Sequence, residues 1–332
     1  MKKSLARKFT DIWYKDPFIG AWLMPLGFFF SDIARFRKFL YRIKVFKTQR
    51  LPVPVIIVGN ITVGGTGKTP LVIALAKLLT EQGYKVGIIS RGYGGDAVPR
   101  LVSPVSDAKQ VGDEALLMAQ KTACPVAVAP LRIEAGQLLL ANAPQCDVIL
   151  SDDGLQHYAL HRDIEIAVID GERRFGNGYC LPAGPLREPI HRLQTVDFIV
   201  VNGTKTEANE YEMHLVGDTA VNLSTGEEKP LAAFKDNSKL HAIAGIGHPA
   251  HFFSLLNKAG LQFEEHEFPD HHDFVPTDIA FNETVLMTEK DAVKCRAFAS
   301  LQHWFVPVSA NLDSQFTEQL LTQLREQREQ HD

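Results

Sequence analysis

Residues 53–69 read Val-Pro-Val-Ile-Ile-Val-Gly-Asn-Ile-Thr-Val-Gly-Gly-Thr-Gly-Lys-Thr. An apolar, β-branched run enters a Gly-rich turn that ends in Gly67-Lys68-Thr69 and opens onto an amphipathic stretch. This order of strand, glycine turn and helix is what a phosphate-binding loop needs. Residues Thr62, Val63, Gly64, Gly65, Thr66 and Gly67 would supply the backbone N–H groups that close around phosphate oxygens, as in an ATP site. Lys68 would reach the β- and γ-phosphates, and the Thr69 hydroxyl would ligate Mg²⁺. The helix that follows aims its positive end at the same anion. The strict pattern places Gly at position 62, where this chain has Thr62. Gly64 and Gly65 keep the turn permissive, so a variant loop is expected.

The rhythm beyond the loop alternates strand and helix. Apolar runs at 55–58, 86–90, 126–129, 148–150, 164–169 and 198–201 predict short buried strands. Residues 69–82 predict a helix with Leu71, Val72, Leu75, Leu78 and Leu79 on one face and Gly83 as its stop. Strands separated by helical stretches imply an α/β fold: a parallel sheet with helices on both faces. At 332 residues the chain exceeds one small core. The expected division is an N-terminal segment (1–50), a phosphate-loop domain (51–205), a polar linker or hairpin (206–240) and a smaller α/β domain (241–332). The tail from Gln315 reads as a charged, Gln-rich helix.

A second element carries chemistry. The run Val148-Ile-Leu-Ser-Asp-Asp-Gly-Leu-Gln-His157 ends an apolar strand in two adjacent acids. A carboxylate at that edge holds Mg²⁺ directly or through water, which makes Asp152 and Asp153 candidate metal ligands. Successive strand residues point oppositely, so the two need not share a role. Gln110-Val-Gly-Asp-Glu114 sets two acids at a predicted helix start. The loop 176–188, rich in Gly and Pro, carries Arg187, which could clamp a phosphate. Phe268-Pro-Asp-His-His-Asp-Phe274 offers a histidine oriented by a carboxylate. His248 and His251 read as surface or capping residues.

Charge is distributed unevenly. Residues 1–50 hold twelve Lys/Arg against three Asp, a local +9, whereas the remainder holds 23 basic and 36 acidic residues. The basic portion surrounds an uncharged run, residues 18–31, interrupted by Pro25 and Gly27. Fourteen residues fall short of the roughly 20 that span a bilayer. An interfacial segment, with Trp22 and residues 28–30 among headgroups and Arg35, Arg37, Lys38, Arg42 and Lys44 against anionic lipid, accounts for both features. A nucleic-acid arm does not, because nothing later continues the positive surface. Four scattered cysteines without a C-x-x-C pair suit reduced thiols in a cytosolic setting.

Taken together the motifs resemble the tetraacyldisaccharide 4′-kinases, which phosphorylate the lipid A precursor of Gram-negative bacteria. The resemblance runs through the segments 58–70, Ser90-Arg-Gly-Tyr-Gly-Gly95, Val111-Gly-Asp-Glu114 and Asp152-Asp-Gly-Leu-Gln-His157. It continues through Gly176-Asn-Gly178, Leu181-Pro-Ala-Gly-Pro185 and Met287-Thr-Glu-Lys-Asp291. It implies a membrane-associating N-terminal helix, two α/β/α domains with ATP between them, and transfer of the γ-phosphate to the 4′-hydroxyl of a tetraacylated diglucosamine 1-phosphate. The implied acid/base pair is Asp113 with His271, with His272 an alternative to His271 and either member the proton acceptor. Arg187, Asn177 and Tyr93 are implied substrate contacts. The implied partners are the glycolipid and the lipids of the inner membrane's cytoplasmic face; no obligate protein partner is indicated. The alternatives are a switch NTPase or metallochaperone, whose guanine-specifying N-K-x-D element does not occur here, and a membrane scaffold that binds nucleotide without turnover.

Overall fold

The computed structural model describes residues 12–14, 21–236, 239–329 and 331. Residues 1–11 and 15–20, which carry part of the expected N-terminal segment and the first three residues of its apolar run, lie outside the described residues.

Two sheets form the fold. The larger has nine strands: β1 (Val55–Gly59), β2 (Val86–Ser90), β3 (Arg100–Val102), β4 (Val126–Val128), β5 (Val148–Asp152), β6 (Ile164–Asp170), β7 (Phe198–Asn202), β8 (Glu210–Val216) and β15 (Ser309–Leu312). Their order is β15-β8-β7-β6-β1-β5-β2-β4-β3, with β1 central between β6 and β5. Only β3 and β15, the two edges, run antiparallel to their neighbours. Every residue of β1, β2, β5, β6 and β7 is buried, the signature of a parallel sheet covered on both faces.

Helices supply the cover. On one face lie α2 (Lys68–Glu81) and α4 (Asp113–Lys121), the latter following the short α3 (Ala108–Val111). On the other lies α5 (Arg132–Asn142) through Ile133 and Leu139. The expected leucine face of α2 is the buried one, and Gly83 follows its end with φ of 88°. The first helix, α1 (Met24–Arg42), contains both residues expected to interrupt it. Pro25 sits in the opening turn, where its missing N–H costs nothing. Gly27 is a contact point: a Cβ there would lie 2.9 Å from Ala183 Cβ and 2.9 Å from the Cys180 carbonyl oxygen. Among the described residues no helix is long and apolar enough to cross a membrane.

The smaller sheet has the order β10-β9-β14-β13-β11-β12. It comprises β9 (Thr219–Asn222), β10 (Glu228–Pro230), β11 (Leu240–Ala244), β12 (Glu264–Glu267), β13 (Thr284–Thr288) and β14 (His303–Val306). Helices α6 (Pro249–Lys258) and α7 (Glu289–Cys295) cover its two faces.

The chain is partitioned differently from the expected 51–205, 206–240 and 241–332. Residues 210–216 form β8 of the larger sheet, and β9–β10 is a hairpin of the smaller one. After β14 the chain crosses back. β15 pairs with β8, and the last helix, α8 (Ser314–Glu329), buries Phe316, Leu320 and Leu324 against the larger sheet. The tail reads as charged and Gln-rich because only one narrow stripe is apolar. That stripe is enough: the Phe316 ring meets Phe198 of β7 at 5.3 Å. Phe316→Ala should therefore destabilise the larger sheet by about 3–5 kcal/mol. An unchanged thermal midpoint would mean the tail is a peripheral appendage.

Candidate active site

The phosphate loop leaves the central strand β1 at the carboxyl edge of the sheet, where open α/β sheets bind ligands. Asn60, fully buried, reaches Thr62 Oγ1 and Thr66 Oγ1, each at 3.4 Å. Thr62 replaces the expected glycine at no conformational cost. It forms a β-bridge with Leu186 and is absent from the positive-φ residues, whereas Gly64 and Gly67 have φ of 100° and 96°. The 181–187 segment braces the loop from outside: Val63 N–H donates to the Pro185 carbonyl (2.9 Å) and Arg187 N–H to the Ile61 carbonyl (2.7 Å). Lys68 and Thr69 open α2.

The smaller sheet touches this loop directly. The turn after β11 sets Gly247 so close that a Cβ on it would lie 2.1 Å from Gly65 N. Arg173 donates to the Gly247 carbonyl at 2.8 Å. His248, expected at the surface or as a cap, is buried: it occupies the N-cap position of α6, yet its side chain makes no cap bond. Nδ1 instead pairs with Asp170 of β6 at 2.6 Å. His251 is half-buried, 3.6 Å from the same carboxylate.

The two acids at the end of β5 have opposite environments, because Asp152 is the last strand residue and Asp153 lies in the turn beyond it. Asp152 is buried beside Ser90 Oγ (3.3 Å), and its Oδ1 has no hydrogen-bond partner. Burial, with the charges of Glu114 and Asp153, pushes its carboxyl up to about 7. A buried, unsatisfied carboxylate oxygen suits a divalent cation, whose charge would restore the ionised form. Thr69, at the start of α2, lines the same cleft and could add a hard oxygen donor for Mg²⁺, whereas Asp153 has both oxygens engaged by Arg187 and could join only once that contact is released. Asp153 turns the other way, with φ of 46°. Burial would raise its carboxyl, but Lys68 (3.5 Å) and Arg187 (3.0 and 2.9 Å) hold it well below the carboxylate range. Arg132 pins both residues by donating to their carbonyls at 3.0 and 3.1 Å.

Across the cleft, Asp113 and His271 meet although 158 residues separate them. Asp113 starts α4; His271 lies in the loop after β12 with φ of 58°. His271 Nδ1 sits 3.1 and 3.0 Å from the two Asp113 oxygens. Burial would raise the Asp113 carboxyl, but the His271 hydrogen bond and the Lys290 and Lys294 charges bring it to about 2. Burial would lower the imidazole, but Asp113 outweighs it and raises His271 above 6.5. His272 turns away, bonding Asp278 at 2.9 Å and packing on Phe268 and Phe274. Lys290 joins the two halves, reaching Glu114 at 3.0 Å and Asp270 and His271 Nε2 each at 3.4 Å.

Of the remaining sequence candidates, Tyr93 lines the cleft with its ring 4.8 Å from His271. Asn177 does not line it. Its amide donates to the Ala183 carbonyl (2.8 Å) and accepts from Tyr179 N–H (3.2 Å), bracing the loop internally. Residues that sequence reasoning left without a role include Lys290, Arg132 and the Asp170–His248 pair. Lys290 was visible within Met287-Thr-Glu-Lys-Asp291; the Asp170–His248 contact had no local signal.

A stability contrast follows from the two acids. At neutral pH without divalent cation, Asp152→Asn should be neutral or stabilising, because the fold disfavours that charge. Asp153→Asn should cost about 1–3 kcal/mol by stripping Lys68 and Arg187 of their counter-ion. The folded Asp153 carboxyl is depressed, so its contribution is present at neutral pH and disappears as pH falls below the ordinary carboxylate range. Thermal midpoints of both variants at pH 7 and pH 3 test the contrast; equal effects would contradict it.

Comparison with known proteins gives the family. Residues 19–325 match the family model for tetraacyldisaccharide-1-P 4′-kinase. The tetraacyldisaccharide 4′-kinase of Nitrosococcus oceani is 50% identical over 319 residues, covering 95% of this chain and 93% of the relative. That of Methylobacillus flagellatus is 46% identical over 327 residues, covering 98% of each. A solved structure of LpxK from Aquifex aeolicus in complex with ATP superposes with a TM-score of 0.76 at 30% identity, covering 93% of this chain and 99% of that one. With a family model spanning nearly its full length and relatives near half-identity, this chain belongs to the tetraacyldisaccharide-1-P 4′-kinase family.

Proposed function

We propose that this protein transfers the γ-phosphate of ATP to the 4′-hydroxyl of a tetraacylated diglucosamine 1-phosphate held at a membrane surface. One observation carries the reading. A cleft of about 2400 Å³ is lined by the phosphate loop, by His271 and Lys290 and also by Phe30, Ile33 and Arg37 of α1. A substrate with a phosphorylatable sugar and four acyl chains needs that continuity between a phosphate donor and an apolar, basic helix.

The chemistry follows from positions. The loop amides and Lys68 hold the β- and γ-phosphates, with Lys68 released from Asp153 when nucleotide enters. Thr69, Asp152 and Asp153 would hold Mg²⁺, which supplies charge neutralisation at the phosphate oxygens. The sugar oxygen attacks phosphorus, the bond to the β–γ bridging oxygen breaks, and ADP leaves. His271 Nε2 takes the hydroxyl proton. Asp113 accepts the Nδ1–H, fixes the tautomer and stabilises the imidazolium. That assignment is favoured over Asp113 as base because its Oδ1 already accepts Glu114 N–H at 2.8 Å.

Membrane docking is assigned to α1. Trp22 (91% exposed), Leu26, Phe29, Ile33 and Phe36 form one exposed stripe at helical spacing, while Gly27 and Ser31 are buried on the opposite side. Arg35, Arg37 and Arg42 are the exposed cations of the helix, available to anionic lipid, whereas Lys38 sits on the face of Gly27 and Ser31 and turns inward to Thr195 Oγ1 at 3.2 Å, contrary to the expectation that it meets lipid.

Labelled ATP and purified tetraacyl disaccharide 1-phosphate in mixed micelles should yield labelled glycolipid, and Lys68→Ala should cut the rate by about 10²–10³. Label released only as free phosphate would overturn the reading. Because His271 must be neutral to accept a proton, the acidic limb of kcat/KM should lie above pH 6.5. Asp113→Asn should move the limb downward; a limb that does not move assigns the titration to another group. Changing Phe29, Ile33 and Phe36 to Ser should abolish sedimentation with anionic vesicles. Arg35→Glu with Arg42→Glu should weaken it by roughly tenfold or more at low salt. Salt-insensitive binding that survives both changes would contradict an interfacial helix.

A further inference from the structure

At the far edge of the smaller sheet, strands β11 and β12 run parallel with His241 opposite Glu264 and Ile243 opposite His266. Side chains alternate with period two, so His241, Glu264 and His266 share one face. Their donor atoms converge. His241 Nδ1 and His266 Nε2 are 3.0 Å apart. A Glu264 oxygen lies 3.8 Å from the first, and its other oxygen 4.0 Å from the second. A tetrahedral ion with ligand bonds near 2.0–2.2 Å separates two donors by about 3.3–3.5 Å. The observed edges bracket that value, and shifts of a few tenths of an ångström would equalise them.

Two further features distinguish this arrangement from a pair of packed histidines. Glu283 stands behind His241, 3.6 Å from Nε2, and is itself 3.9 Å from Lys239. A carboxylate in that place keeps the proton on Nε2 and leaves the Nδ1 lone pair free, the usual outer partner of a metal-bound imidazole. The ring is also held in position, buried and stacked on Phe281 at 4.0 Å and 18°. A hydrogen bond between the imidazoles explains the 3.0 Å contact but uses neither carboxylate.

We propose that His241, His266 and Glu264 form a binding site for a Zn²⁺-class divalent ion, with a solvent-facing fourth position. Two imidazoles and one carboxylate favour Zn²⁺, Co²⁺ or Ni²⁺ over Mg²⁺ and Ca²⁺. The site is separate from the phosphate chemistry: His241 is near the start of β11, and the turn seated on the phosphate loop follows the strand's other end. The ion would tie β12, an edge strand paired on one side only, to β11. It would stabilise the folded protein without taking part in transfer.

The test uses the full-length, metal-stripped protein titrated with Co²⁺, read by calorimetry and by visible absorption. A second cluster of Asp170, His248 and His251 also offers ligands, so the difference between variants is decisive. Wild type should bind one equivalent more than His266→Ala or Glu264→Gln and show a four-coordinate spectrum that both variants lack. Glu283→Gln should weaken that equivalent by about 10–100-fold. Zn²⁺ should raise the thermal midpoint of wild type more than that of His266→Ala, and lipid phosphorylation with Mg²⁺-ATP should be equal in the two. Equal stoichiometry and affinity in wild type and His266→Ala, or no Co²⁺ bound by wild type, would overturn the proposal.

Discussion

The seating of Gly247 on Gly65 is the contact on which the rest of the site depends. It brings the carboxyl edge of one sheet against the phosphate loop of the other, at a separation no side chain would permit. Arg173 and the buried Asp170–His248 pair fasten it from the side of the larger sheet. Once the sheets meet there, α4 and the loop after β12 face each other. Asp113, Glu114, His271 and Lys290 can then form one network. In a separated pair of domains Asp113 and Glu114 would lose their contacts with His271 and Lys290.

Within the assembled cleft, charge is sorted by environment. Asp152 is held near neutrality and unsatisfied, while its neighbour Asp153 is kept ionised by Lys68 and Arg187. One acid keeps a buried oxygen without a partner, and the other is paired with Lys68 and Arg187. Such oppositely shifted neighbours are typical of sites where the protein, rather than the reactants, bears the cost of organising charge. Helix α1, which also lines the cleft, is tied to the protein by Lys38 Nζ donating to Thr195 Oγ1 at 3.2 Å. It is anchored by Gly27 and Ser31, leaving its apolar stripe unpartnered in the structure.

What the sequence revealed was what local pattern can encode. The central strand, the phosphate loop and α2 are one contiguous segment, and their identity survived even Thr62, because that position is extended. Fully buried strands announced the parallel sheet. By contrast, β8 is half-exposed with Glu210, Glu212 and His214, and β15 pairs with it across some ninety intervening residues. Neither carries an apolar run, so 206–240 read as a polar linker or hairpin and the tail only as a charged, Gln-rich helix. The Asp113–His271 pair was accessible only through family resemblance, since nothing local links them. His248 was misread because histidine before proline at a helix start looks like a cap, and its partner lies on another strand. The cluster of His241, Glu264 and His266 depends on strand register, which sequence periodicity does not fix.

We propose that the two sheets jointly build one proton-transfer unit. Its most direct test is a double-mutant cycle on kcat at saturating ATP and lipid, using Asp113→Ala, His271→Ala and the combination. Members of a unit are lost together, so the double variant should be scarcely slower than the slower single variant, with the KM for ATP little changed. Losses in kcat that multiply would mean that Asp113 and His271 act independently, and would contradict the claim.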